Sequence, residues 1–304
     1  MVRQVYLYMK TACKLLLAIA VIGIISFKAS AQQNVWTRID KAELGQPAFD
    51  NAAMPTAYET FRLNKQNLQA VLKSAPEEYS GAMPVTLSLP MPDGTFGRFQ
   101  IEHSLVVERG LLTNYPELGA TYRGHGIDDP TATARFDLLP SGFHLMILSA
   151  NGTVIVNPYS VDDTANYISF YKRDMPRTGT FICEVKSDEK GSGFDSIIKP
   201  KQLGSGDFLP DVSSPEILSG TQLRTYRLAL AANNEYCVAV GGNTVAGSLA
   251  AQVLIMNRVN GVYERDLAIH MNIVANNNLI VYAGNNLSCG GACTAAVPWI
   301  DRVP

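Results

Sequence analysis

The hydrophobic periodicity of this chain changes in its last third, and that change limits the folds the chain can adopt. Upstream, short apolar segments alternate at period two, as in Val85-Thr86-Leu87-Ser88-Leu89. This pattern is typical of half-buried strands, and turn sequences such as Asn151-Gly152 separate the segments. Downstream, apolar residues recur at intervals of three and four, which is the period of an amphipathic helix: Leu249, Val253, Met256 and Val259.

The upstream pattern predicts a mostly-β domain at residues 57–185. Its expected strands include residues 134–138 and 143–148, which form a hairpin across Pro140-Ser141-Gly142. A second turn is expected at Pro92-Asp93-Gly94-Thr95. One short helix is predicted near residues 67–72, with Asn64 as its N-cap.

The downstream pattern at residues 223–284 predicts the order strand, helix, strand, strand. Residues 224–231 alternate and then become apolar, which favours a buried strand. Asn243 or Thr244 can cap a helix that runs to about Val259, and residues 267–274 and 279–282 are the next strands. A strand-helix-strand unit favours a parallel sheet, so the chain as a whole is expected to be of the α+β class.

A change in composition separates these two parts. Residues 186–222 are crowded with Gly, Ser, Pro and Asp and lack periodic apolar residues. Such a segment cannot bury a core, so we expect a linker and a domain boundary there. Residues 32–56 form an N-terminal segment, and residues 285–304 form a tail that follows neither pattern.

The N-terminus predicts export. Arg3, Lys10 and Lys14 precede an apolar run at residues 15–27, and small residues follow at Ala29-Ser30-Ala31. This is typical of a signal peptide at residues 1–31, so the protein is expected to be secreted or periplasmic. A retained membrane anchor is the alternative, although the run is shorter than the roughly 20 apolar residues that span a bilayer.

Charge excludes two classes of partner. The signal segment holds four positive and no negative residues, so its removal changes the formal net charge from −2 to −6. Nucleic-acid binding requires clustered Lys and Arg, and we therefore expect no nucleic-acid partner. The remaining sequence has no basic amphipathic stretch suited to a membrane surface, so no membrane partner is expected after signal removal.

Four cysteines remain once Cys13 leaves with the signal segment, and they are the candidate disulfide or latch residues. In an oxidising compartment they permit up to two disulfides, and the sequence leaves three pairings open. Cys289 and Cys293 are spaced one residue too far for a thioredoxin-type motif, which favours a structural role. The four candidates are Cys183, Cys237, Cys289 and Cys293.

Three other motifs have a structural and a functional interpretation. Residues 242–248 have the glycine spacing of a phosphate loop but lack its lysine, so a turn into a helix is favoured. Asp128-Asp129 and Asp162-Asp163 are expected to form turns, with calcium binding as the alternative. His125 lies between two glycines and is expected in a loop.

Several long collinear stretches carry a family resemblance. Residues 223–232, 244–253, 256–265 and 273–282 resemble the start of the catalytic domain of reprolysin-like zinc metallopeptidases, which are metzincins related to the adamalysins. Residues 57–176, which include Tyr122-Arg-Gly-His-Gly-Ile127, resemble the pro-segment of that family. The resemblance implies a mostly-β pro-domain followed by an incomplete α/β metzincin-type domain.

The resemblance also implies a zinc-dependent peptide hydrolase, but the zinc motif is missing. The complete family member binds zinc through His-Glu-x-x-His, where two histidines share one helical face and the glutamate takes a proton from zinc-bound water. This chain has histidines at 103, 125, 144 and 270, none of them four residues apart. We therefore expect a truncated metalloendopeptidase with no catalytic residue, no metal ligand and no cofactor in this chain.

Two alternatives stay open. Residues 57–184 can act as a chaperone or inhibitor, with a protease catalytic domain or protein substrate as partner. The chain can also be a non-enzymatic cell-envelope domain. A Cys183 latch on zinc, as in a latent protease, is disfavoured because Glu184 would raise the pKa of the thiol. Residues 223–304 are expected to leave an apolar helix face uncovered.

Overall fold

The computed structural model describes residues 34–45, 54–160, 163–176 and 222–284. The predicted signal peptide, the predicted tail and all but the last residue of the predicted linker lie outside these ranges. Within them, the chain forms a large antiparallel sheet, followed by a small α/β unit. The coarse expectation of an α+β protein with a mostly-β upstream part is thus confirmed.

Nine strands form the large sheet, in the order β1-β2-β9-β8-β7-β6-β5-β4-β3. Every neighbouring pair is antiparallel. The strands are β1 (Trp36–Arg38), β2 (Glu59–Leu63), β3 (Val85–Pro90), β4 (Phe96–His103), β5 (Thr121–Gly126), β6 (Thr133–Leu139), β7 (Gly142–Ser149), β8 (Gly152–Pro158) and β9 (Asn166–Tyr171). Helix α1 (Lys65–Leu72) follows β2, and the Asn64 side chain caps it as expected.

The hairpins form where the turn residues predict them. Leu139 on β6 pairs with Gly142 on β7, which leaves Pro140 and Ser141 as the loop. Gly142 has φ +118°, a backbone conformation that only glycine adopts without strain. Local turn chemistry therefore sets the register of this hairpin.

The sheet curls until its two edges almost meet, and we call the result the barrel. Strands β1 and β3 contact each other, and the Phe61 and Phe96 rings pack edge to face at 5.6 Å. The Ser169 hydroxyl donates to Pro90 O at 3.0 Å, joining β9 to β3. One apolar core fills the interior, built from alternate residues of the strands; the bulkiest are Tyr167, Phe61, Phe136 and Phe143.

The α/β unit follows the second gap in the described ranges. It contains β10 (Arg224–Leu228), α2 (Asn234–Val240), α3 (Val245–Leu267) and β11 (Ile269–Ile273). Strands β10 and β11 are parallel, as the strand-helix-strand pattern predicts. Thr244 is the N-cap of α3, and its side chain accepts a hydrogen bond from Gly247 N–H at 3.1 Å.

Five expectations about local structure were wrong. Residues 279–282 do not form a strand, because a 3₁₀ helix spans Asn277–Ile280 and the Asn277 side chain binds both backbone groups of Leu230. Strand β10 is largely exposed rather than buried. His125 lies within β5 rather than in a loop. Helix α3 runs to Leu267, beyond Val259, and its apolar face is covered.

The barrel covers that face of α3, so the two parts share a second core. Leu249, Val253 and Met256 on α3 pack in one cluster with Val106 and Leu118 from the connection between β4 and β5.

No single helix among the described residues has the length and apolar character to cross a bilayer; α2 and α3 meet that test only as a pair bent by 80°.

Candidate functional site

Among the described residues, the buried arginine, aspartate and histidine side chains lie between the outer face of the barrel and helix α3: Arg135, Asp137, His144 and His270. Strand β7 is buried on both faces because Phe143, Leu145 and Ile147 fill the barrel while His144 and Met146 lie outside that core. Side chains of β6 and β7 that point away from the barrel interior are thus buried because α3 packs over this face of the barrel. This interface is the candidate site because it concentrates the charged groups that are withdrawn from water.

A charged cluster closes one end of the interface, and we call its four residues, Ser104, Arg135, Glu264 and His270, the clasp. Arg135 on β6 is 4% exposed. One terminal nitrogen of its guanidinium donates to Ser104 Oγ at 2.7 Å, and the other forms an ion pair with Glu264 Oε1 near the end of α3. The clasp therefore ties the barrel to the helix through a charge-assisted contact.

His270 completes the clasp from β11. Its Nδ1 lies beside Glu264 Oε1, and its Nε2 lies 3.1 Å from Leu105 O and 3.0 Å from Asn272 Oδ1. Each ring nitrogen thus lies next to at least one oxygen that can accept a hydrogen bond.

The pKa of Glu264 is set by two opposing effects. Burial alone would raise this pKa, because a carboxylate loses its hydration. The hydrogen bond from His270 and the positive charge of Arg135 outweigh burial, and they hold the pKa of Glu264 below its ordinary value. Glu264 is therefore the carboxylate that binds both Arg135 and His270 within the clasp.

A second polar group lies further along the same interface. Asp137 on β6 is 1% exposed and accepts from His144 Nδ1 at 2.9 Å. From α3, the Asn257 amide donates to Phe136 O at 2.9 Å and to Asp137 Oδ2 at 3.3 Å. These hydrogen bonds compensate the buried carboxylate of Asp137, which would otherwise be too costly to withdraw from water.

Arg258 lies beside this group and reaches from α3 to β8. It donates to Asn157 Oδ1 at 2.7 Å. Burial lowers the pKa of Arg258, and the nearby negative charge of Asp137 opposes that effect. The contacts of Asn257 and Arg258 show that α3 binds β6 and β8 through polar side chains.

The barrel also extends the small parallel sheet. Residues 106–108, in the connection between β4 and β5, lie parallel to β11: Ile273 N–H donates to Val106 O and Glu108 N–H donates to Ile273 O. The Glu108 side chain then pairs with Arg227 on β10 and accepts from Ala275 N–H at 2.9 Å. A single β-bridge between Val107 and Ile273 therefore joins the upstream part of the chain to the two-stranded downstream sheet.

An asparagine side chain completes the same edge of β11. Asn260 on α3 donates to Met271 O and accepts from Met271 N–H, both at 2.9 Å. These two hydrogen bonds take the place of a neighbouring strand at Met271. On the side of β11 that faces away from β10, the backbone groups of Met271 are thus bound by α3 and those of Ile273 by residues 106–108.

One of the four candidate cysteines, Cys237, lies among the residues that the structure describes. Cys237 on α2 is fully buried in the shared core and is a free thiol. Cys183, Cys289 and Cys293 lie outside the described residues. The described residues contain no group of three or more His, Cys, Asp or Glu side chains placed to hold a metal ion.

The described acidic residues of the candidate calcium sites form turns or ion pairs. Asp128 pairs with Arg98 at 2.6 Å, and Asp129 caps Thr131. Asp163 accepts from the backbone N–H groups of Ala165 and Asn166. Residues 242–248 form a turn into α3, with Gly242 and Asn243 both at positive φ.

Sequence reasoning did not identify the residues of the interface. A signal was present in α3, because Asn257, Asn260 and Glu264 continue the three- and four-residue spacing of the apolar face. Polar residues at such positions are buried only if a partner satisfies them, and Arg135, Asp137 and Met271 do so here. Neither polar group places a nucleophile beside a base, so the arrangement suits binding between elements rather than covalent chemistry.

Comparison with known proteins does not assign the chain to a family. No protein-family model matches the sequence, and no curated protein matches it significantly.

Proposed function

We propose that the chain is exported and that residues 57–185 act as a pro-segment-like scaffold for residues 223–284, the opening part of a reprolysin-like metalloendopeptidase domain. The sequence resemblance and the parallel strand-helix-strand unit support this proposal. In this interpretation, the barrel stabilises the strands and the helix that follow it. The more specific assignment of residues 223–284 to the metzincins rests on the sequence resemblance alone.

One observation carries the scaffold proposal: the connection between β4 and β5 forms a parallel β-bridge with the free edge of β11. Residues 106–108 pair with β11, and the same connection contributes Val106 and Leu118 to the core beneath α3. A two-stranded sheet is at best marginally stable alone, and the barrel gives the α/β unit an additional backbone bridge at β11 and a surface that covers its apolar side chains. That is the relationship expected between a folding scaffold and the segment it stabilises.

We further propose that this chain does not hydrolyse peptide bonds through zinc. Two histidines can share one zinc from a helix only at a spacing such as four residues, and the closest pair here is His125 and His144. The test is to purify the exported chain, measure its zinc content by mass spectrometry, and assay casein cleavage with and without chelator. We expect less than stoichiometric zinc and no chelator-sensitive cleavage; either activity or a full zinc site would overturn this part.

The scaffold itself is tested by hydrogen exchange on the full chain. Val107→Asp places a charge in the shared core beside Ile273, so amides of residues 245–273 should exchange at least about tenfold faster. Amides of residues 133–158 should stay protected. Ile127→Asp, at an exposed position after β5, is the matched control and should change neither region. Unchanged protection of α3 and β11 in Val107→Asp would contradict the scaffold role.

We propose a second function, binding to a separate protease domain, in which an acidic helix of that domain takes the place of α3 on the barrel. Arg135 lies on the outer face of the barrel, and its carboxylate partner comes from α3 rather than from the barrel. Because α3 covers Arg135 in this chain, a helix of a separate domain would have to displace α3 in order to bind there. Mixing the exported chain with an active reprolysin-like protease tests this function, because an inhibitor would slow cleavage in proportion to its concentration.

A further inference from the structure

Strand β10 has a long edge that no described strand covers. Arg224 N–H donates to Ala268 O at 2.9 Å, and Ala232 N–H donates to Ile280 O at 3.0 Å, so the even-numbered residues face β11 and the segment after it. Peptide groups alternate sides along an extended strand. The odd-numbered groups therefore face the opposite edge, and these belong to Thr225, Arg227, Ala229 and Ala231.

This edge lacks the usual protection against strand addition. The four odd-numbered residues are exposed, and residues 224–232 contain no proline and no lysine. Proteins commonly block edge strands with those residues, with bulges or with covering loops. An unblocked edge of this kind can accept an extended peptide as an additional strand.

The charge along the edge indicates which peptide it accepts. Arg224 is exposed and has no ion-pair partner among the described residues. Arg227 is 73% exposed; Glu108 binds its Nε and one terminal nitrogen, which leaves the other terminal nitrogen able to donate. We propose that this edge docks an extended peptide that carries acidic side chains.

A second copy of the chain suits the edge less well. Antiparallel pairing of two β10 strands about Tyr226 would bring Arg224 and Arg227 of both copies into one interface. Like charges on neighbouring strands repel each other, whereas carboxylates in the same places would be attracted. Charge complementarity therefore favours the acidic peptide.

Arg224 and Arg227 lie three residues apart on β10, and their side chains therefore project from opposite faces. The probe is a fluorescent seven-residue peptide of valine and glutamate, with two glutamates at the same spacing, titrated into the full exported chain and followed by anisotropy. We expect saturable binding that weakens with salt, and binding of the matched valine-lysine peptide that is weaker by at least about tenfold. N-methylation at alternate residues removes the N–H groups on one side of the extended glutamate peptide. Methylation of the set that faces β10 should abolish binding, whereas methylation of the other set should leave binding unchanged. Equal binding of the two peptides, or none, would overturn the proposal.

Two substitutions locate the binding to this edge. Thr225→Pro removes an N–H that points away from β11 and should weaken binding by at least about tenfold, whereas the control Thr225→Val should bind normally. Arg224→Glu lies at an exposed position and should reverse the preference from the glutamate to the lysine peptide. Unchanged binding in both Thr225→Pro and Arg224→Glu would overturn the proposal. If the chain binds neither peptide but sediments as a dimer, and Thr225→Pro abolishes that dimer, then the edge of β10 pairs with a second copy of the chain and the proposal is overturned.

Discussion

Arg135 on a barrel strand and Glu264 near the end of α3 form an ion pair at the interface between the two parts of the chain. The two residues are 129 positions apart in sequence. Arg135 is almost fully buried, and Ser104 and Glu264 together bind both of its terminal nitrogens. The pair therefore fixes where the helix ends relative to the barrel, and breaking it has measurable consequences.

Arg135→Ala should lower the free energy of unfolding by about 3–5 kcal/mol, because it leaves a largely buried carboxylate without its cation. Urea unfolding followed by circular dichroism measures the loss. Arg98→Ala removes an ion pair whose two side chains are both well exposed, and it should cause a much smaller change. A loss in Arg135→Ala no greater than in this control would show that Arg135 does not stabilise the interface.

Acid should weaken the clasp through Glu264. The pKa of Glu264 lies below its ordinary value of about 4.5, so the folded state favours the carboxylate. The resulting stabilisation is present above about pH 4.5 and is lost as the pH falls through the lowered pKa. The difference in unfolding free energy between the wild type and Glu264→Gln should therefore be largest near about pH 6 and shrink toward about pH 3. A difference that grows on acidification would contradict the assignment.

Asn260→Leu should loosen the outer edge of β11. The substitution removes two hydrogen bonds and leaves both backbone groups of Met271 without those partners, at a cost on the order of 2 kcal/mol. Hydrogen exchange at Met271 should accelerate more than exchange in the barrel strands. Asn67→Leu, which removes an exposed asparagine contact on α1, is the control and should leave β11 protected.

Gly261→Ala should destabilise the protein although alanine favours helices. Replacement of a glycine by alanine inside a helix ordinarily raises the free energy of unfolding by about 1 kcal/mol. Here a Cβ at position 261 would lie 2.9 Å from Arg135 Cγ and 3.3 Å from Met146 Cε, and the guanidinium of Arg135 is held by its partners. We expect a net loss of about 1–3 kcal/mol in urea unfolding. A gain in stability would show that α3 can move away from the barrel at little cost.

The parts of the fold that the sequence predicted are those set by local chemistry. Asn64 and Thr244 cap their helices because a side-chain oxygen next to a helix start meets a free N–H whatever surrounds it. The hairpin between β6 and β7 formed as expected because turn residues act over two to four positions. The parallel pairing of β10 and β11 followed from the spacing of strand, helix and strand.

The errors arose where distant residues decide the outcome. The apolar segment at residues 279–282 suits a strand, but Asn277 binds Leu230 across the unit, and residues 277–280 form a 3₁₀ turn. The apolar face of α3 was expected to be uncovered because nothing in its own sequence indicates that a barrel packs there. The clasp was missed for the same reason, since Arg135 and Glu264 each resemble an ordinary surface charge in sequence.

The sequence by itself determined the α+β class, the positions of most strands, the helix starts and the absence of a His-Glu-x-x-His zinc motif, because these depend on residue type and short spacing. Tertiary structure alone decided that the sheet curls into a barrel, that the barrel covers α3, and that residues 106–108 join the downstream sheet. Those outcomes depend on which apolar surfaces pack against each other and on which buried charges form ion pairs or hydrogen bonds. Both depend on residues that are far apart in the sequence, so neither can be inferred from a single position.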